Sequence, residues 1–141
     1  KYKIIIGIFD KFKIGFKKSA SAFTSGLKEI IVKKIEDFNI EKIGPEIENH
    51  EIFPEKCNVT IAQIINKNLI KVKVWERGAG LTKACGTAAC AAAYAGKLNN
   101  YTENKTDIEF STGKLSIFID ENDSIHMKGP VSEIEEINIK L

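Results

Sequence analysis

Along the middle of the chain, apolar and polar positions alternate in two consecutive runs. Val59, Ile61 and Gln63 alternate with Thr60, Ala62 and Ile64. After a turn at Asn66-Lys67-Asn68, Ile70, Val72 and Val74 alternate with Lys71, Lys73 and Trp75. Period two is the strand signature, so the region reads as a hairpin with a Val/Ile face in the core and a lysine face in water. Upstream the period lengthens. Ile40, Ile43 and Ile47 recur at three- and four-residue steps, which predicts a helix capped by Asn39 and broken or restarted at Pro45. A short strand is expected over Ile30 to Ile35. Downstream, Asp107–Ser111 and Lys114–Ile119 read as a hairpin across Thr112-Gly113, with further strands at Ser124–Lys128 and Ile134–Lys140. The first thirty residues have no clean period. Only Tyr2 to Ile8 looks strand-like, at a sheet edge, and Ser19 to Gly26 is loop-like.

One segment departs from both periods. Cys85 to Gly96 contains six alanines and no charge. Alanine is the strongest helix former, and a helix with no polar side must be buried all round. Gly96 is the natural stop. The pattern predicts an α+β fold with antiparallel β-sheets wrapped around a central buried helix.

Composition narrows the function classes. Hydrophobic residues at 43% suffice for one packed core, and a net charge of +2 leaves no footprint for a nucleic-acid backbone or an acidic membrane surface. No apolar run approaches the roughly 20 residues of a bilayer span. A cytoplasmic protein is expected, with neither nucleic-acid nor membrane partners. Cys57, Cys85 and Cys90 are an odd count without framework spacing, so reduced thiols are expected rather than disulfides. Without a Cys-x-x-Cys, and with His50 and His126 far apart, no metal site is predicted.

Chemistry concentrates at Cys85. A thiol at the first turn of a buried helix meets free backbone N–H groups and the positive end of the helix dipole, which favour negative charge on sulfur. The amides of Gly86 and Thr87 form a cradle for a carboxylate. An amino acid docked there brings its Cα–H to Cys85, which can take the proton while the amides stabilise the charge that develops. Upstream, Glu76 and Arg77 enter a Gly-rich loop, Glu76-Arg77-Gly78-Ala79-Gly80. Glu76 suits the substrate ammonium, and Arg77 suits a second carboxylate. The bland alternatives are a cysteine serving as a small buried hydrophobe and an ordinary exposed ion pair. Cys90 and Cys57 fit the first. His50 and His126 read as surface or loop residues.

The stretch VWERGAGLTKACGTAACAAA, residues 74–93, resembles the second catalytic motif of the diaminopimelate epimerase family. The likeness extends upstream through IEKIGPEIENHEIFPEKCNVTIAQ, residues 40–63, and downstream to MKGPV, residues 127–131. It covers about residues 30–141, leaving 1–29 as an atypical segment. Racemases of proline and hydroxyproline share the Cys-Gly-Thr helix start but resemble neither the ERGAG approach nor the NHEIFPE segment.

The resemblance implies a two-lobed, pseudo-symmetric isomerase that converts LL- to meso-diaminopimelate for lysine and peptidoglycan precursors. It implies one cysteine per lobe and no cofactor, neither pyridoxal phosphate nor metal. Carried over by position, Cys85 is the C-terminal lobe's cysteine. Gly86 and Thr87 then hold the α-carboxylate, Glu76 the α-amino group, and Arg77 and Asn58 the distal end. The family's Cys-Gly-Asn lobe is not in this sequence, and Leu27, Lys28 and Glu29 stand where a Gly-Asn-Pro-His element is expected. The expectation is therefore a truncated or frame-shifted reading of a longer gene, inactive alone, with a homodimer as a second route to a two-cysteine cleft. A proline-type racemase half and a non-catalytic binding or interaction lobe are the alternatives.

Overall fold

The computed structural model describes residues 4–7 and 34–131. The expected strand at Ile134–Lys140, the loop at Ser19–Gly26 and most of the one at Ile30–Ile35 lie outside those residues. Ile35 itself opens a single 3-10 turn, Ile35–Asp37. Strand β1 covers Ile4–Gly7, within the strand-like run at the N-terminus. Helix α1 is Ile40–Glu48, with the Asn39 side chain accepting from the Lys42 N–H at 3.0 Å as its cap. The hairpin follows as β2, Val59–Asn66, and β3, Leu69–Glu76, then a short return strand β4, Gly80–Thr82. Helix α2, Gly86–Leu98, leads to β5, Lys105–Phe110, β6, Gly113–Ile119, and β7, Ile125–Lys128.

Helix α1 runs unbroken through Pro45, against expectation. Pro45 forgoes the hydrogen bond to the residue four back, Glu41, but its clash with the residue before it is relieved because that residue, Gly44, has no Cβ. Gly44 is also required by packing, because a Cβ there would lie 2.5 Å from Trp75 Cγ. Helix α2 likewise passes its expected stop. Gly96 lies inside it, where a side chain would sit 2.6 Å from Thr102 Oγ1. The end falls at Asn99, and Asn100 (φ 58°) takes the left-handed position that follows.

The strands form one sheet in the order β1-β2-β3-β5-β6-β7, with β4 also on β3. The expected α+β arrangement holds, with every pair antiparallel except β3 with β5, and that one parallel ladder makes the sheet mixed. The reason is the connection. A 13-residue helix spans about 20 Å, which carries the chain back along the strands so that β5 starts at the same end as β3. The far edge of β3 is thereby shared: Leu69–Lys71 pair with β5 and Val74–Glu76 with β4.

Helix α2 touches β1, β2, β3, β5, β6 and β7, so the sheet must curl around it. Ala88, Ala89, Ala92 and Ala93 pack there with Val72, Val74, Ile108, Phe110, Ile117 and Ile119. The helix is not buried all round, however: Thr87 is exposed, and Cys90 and Tyr94 are half-buried along the same side. The outer face of the hairpin is not simply solvated either. Val59 and Ile61 share it with Trp75 and Lys73, because they are cross-strand partners, and Ile35, Ile40 and Ile43 cover it. A strand apolar on both faces calls for cover on both.

Candidate active site

The end of β3 sets the first half of the site. Glu76 pairs with Gly80 across a three-residue connection, Arg77-Gly78-Ala79, closed by the Ala79 N–H on Glu76 O at 3.0 Å. Gly78 (φ 76°) and Gly80 (φ 80°) take left-handed conformations that favour glycine, which explains the spacing of the Gly-rich loop. Asn58 accepts the Arg77 backbone N–H at 2.7 Å, and Arg77 Nη1 donates to Glu55 O at 2.7 Å. Glu76 is half-buried, and its carboxylate makes no hydrogen bond or ion pair among the described residues.

Beneath this turn lies a residue that sequence reasoning passed over. Glu48 is 5% exposed, and its carboxylate accepts from Trp75 Nε1 at 2.7 Å and from the Gly78 N–H at 3.2 Å. Lys56 Nζ is 3.9 Å away. The available signal was the spacing Ile40, Gly44, Glu48, which is the stripe α1 actually buries. An acid on an amphipathic helix ordinarily reads as solvent-facing, so periodicity alone points to Ile40, Ile43 and Ile47 instead.

The second half follows β4. Cys85 caps α2 in an extended conformation (φ −151°, ψ 116°), and its carbonyl accepts the Ala89 N–H at 3.0 Å. Its half-buried Sγ lies 3.2 Å from the Thr87 hydroxyl. Met127 of β7 covers Gly86 closely enough that a Cβ there would meet Sδ and Cε at 3.2 Å. The structure thus brings Asn58 to Arg77 and Cys85 to Thr87. No side-chain bond among the described residues joins Cys85 to Glu76; β4 links the two groups instead.

The other thiols are set apart. Burial pushes the Cys90 thiol up, helped by Cys85 nearby. Burial also raises Cys57, with Glu48 adding to the effect and Arg77 opposing it, and its Sγ contacts Ile47 O at 3.8 Å. His50 is exposed, and His126 pairs with Asp120 at 3.1 Å. No group of three or more potential metal ligands occurs among the described residues, and no described helix is long and apolar enough to cross a membrane.

A family model described as diaminopimelate epimerase matches residues 26–134. The chain belongs to the diaminopimelate epimerase family. The diaminopimelate epimerase of Pelagibacter ubique (strain HTCC1062) is 70% identical over 110 residues, covering 78% of this chain and 40% of that protein. That of Bartonella tribocorum is 45% identical over 97 residues, 69% of this chain and 34% of that protein. That of Methanococcus maripaludis (strain DSM 14266) is 43% identical over 111 residues, 78% of this chain and 40% of that protein. The chain therefore spans about two-fifths of the length of the curated diaminopimelate epimerases it matches. The matched span takes in Asn58, both halves of the site and Met127.

Proposed function

We propose that this chain supplies one half of the catalytic site of a cofactor-independent diaminopimelate epimerase, with Cys85 as its acid/base. In this reading the substrate's α-carboxylate lies on the first amides of α2, at Gly86 and Thr87. Glu76 holds the α-ammonium, which acidifies the Cα–H. Arg77 and Asn58 receive the distal end, Asn58 through the amide end of a side chain whose oxygen already anchors the turn. The Cys85 thiolate takes the Cα proton and becomes a thiol. The electron pair left on carbon delocalises into the carboxylate, where the helix amides stabilise it. A thiol on the opposite face then delivers a proton to Cα, and the configuration inverts. A second cysteine is thus needed, supplied by another lobe or by a second copy of the chain, and this chain alone has little or no epimerase activity.

The observation that carries the reading is the setting of Cys85. It is the half-buried thiol at the alanine helix's start, 3.2 Å from a hydroxyl, in a family match that includes the Glu76-Arg77 turn. The test is labelling by an electrophilic diaminopimelate analogue. Cys85→Ser is expected to abolish labelling and Cys90→Ser to retain it; equal labelling of both removes the assignment. Sedimentation alongside an epimerisation assay tests the half-site, since full activity in a monomer of this chain contradicts it. A substrate panel of diaminopimelate against proline separates this reading from a proline-type racemase, which has no use for Arg77 and Asn58. A chain that binds diaminopimelate with Cys85 unreactive is a binding lobe.

A further inference from the structure

The structure assigns Glu48 as a positioning residue that holds the Glu76-Arg77-Gly78 turn in one geometry. The inference rests on the reading above, in which that turn receives the substrate. Three observations converge. Glu48 is 5% exposed, a burial that a carboxylate tolerates only when its oxygens are satisfied. The two oxygens divide their work: Oε2 accepts the Trp75 indole N–H at 2.7 Å, and Oε1 accepts the Gly78 N–H at 3.2 Å. Trp75 and Gly78 flank Glu76 and Arg77 in sequence, so one carboxylate bolts the segment on both sides of the pair that meets the ligand.

Trp75 makes the bolt rigid. Its ring lies against Gly44 of α1, 2.5 Å from where a Cβ would be, and within 3.5 Å of the corresponding point on Gly80. The indole is therefore gripped between the helix that carries Glu48 and the strand that leaves the turn. Asn58 completes the hold by accepting the Arg77 N–H. The Arg77 and Gly78 backbone N–H groups are thus committed to Asn58 and Glu48, while the Glu76 carboxylate has no hydrogen bond or ion pair among the described residues. Glutamine cannot replace the carboxylate. It has one acceptor oxygen, so its NH2 would face either the indole N–H or the Gly78 N–H, donor against donor.

The experiment compares the full chain with its Glu48→Gln variant. Hydrogen–deuterium exchange is read over residues 76–80 and 86–98, meso-diaminopimelate affinity by calorimetry, and Cys85 reactivity with iodoacetamide. The emission of Trp75, the single tryptophan, reports loss of its bond to Glu48. Exchange in the turn is expected to rise at least tenfold and Kd at least fivefold, with helix exchange and Cys85 reactivity unchanged. A general loss of stability would move the helix and the thiol as well, and that result overturns the assignment. So does an unchanged turn, and so does a loosened turn with unchanged affinity. A wild-type chain that does not bind diaminopimelate, but whose turn loosens in the variant, removes the functional reading and keeps Glu48 as the bolt. Should Glu48→Gln not fold, Trp75→Phe removes one of the two donors. Its turn is expected to exchange several-fold faster, and wild-type exchange there overturns the inference.

Discussion

The two halves of the candidate site are built by different means. The Glu76-Arg77 turn is held by polar groups: the Glu48 carboxylate, the Asn58 amide and the Glu55 carbonyl each take a hydrogen from it. The Cys85 end is held by packing, because α2 meets the strands around it mainly with alanines, and among the described residues the thiol's hydrogen-bonding neighbour is Thr87. Hydrogen bonds are directional and set the orientation of recognising groups. Close packing of small side chains sets the position of a backbone terminus, whose amides then need no further support. The difference predicts that lesions on one side leave the other standing.

The largest effect is expected from Ala89→Leu. Ala89 is fully buried against the sheet, and overpacking a core typically costs 1–3 kcal/mol, with about 3 expected at a site with no free space. Urea unfolding should show the loss, and Cys85 labelling should fall while exchange in residues 76–80 stays near wild type. Gly44→Ala comes next, at about 1–2 kcal/mol, because the new methyl meets Trp75. Here the turn should loosen and Cys85 labelling persist. If either substitution disturbs both halves equally, the two are one mechanical unit. The smallest effect is in alkali. Cys57, on the turn's side, and Cys90, on the helix, both have raised folded values, so their contribution is intact below 9.0 and is lost as pH rises through the folded values. Unfolding midpoints should decline as pH rises above 9.0, and Cys90→Ser should flatten that decline without changing exchange in the turn.

What was legible in the sequence follows the same division. The alanine helix, the hairpins and the glycine turn were readable because each depends on local chemistry: propensity, period two, or a positive φ. Cys85 could be placed at a helix start from Gly86 onward alone. Three features depended on tertiary contacts instead. The parallel pairing of β3 with β5 arises from the length of α2. Gly96 is small to admit Thr102 rather than to end the helix. Glu48 is buried because an indole and an amide from elsewhere in the chain satisfy it. Pro45 is a milder case, since its neighbour Gly44 relieves one of the clashes a proline brings and that pair was visible in the sequence.

The shared edge of β3 has a consequence for how the molecule assembles. The β2–β3 and β5–β6 hairpins join residues near in sequence and can form early, whereas the parallel ladder waits for the whole crossover. Contacts between distant segments are the slow part of folding, since the intervening loop must be closed before they give any return. The crossover is α2, whose first residue follows Cys85. A chain caught between the two stages therefore has α2 without the closed sheet around it, and under the function proposed above its site is completed with the last strand pairing rather than the first.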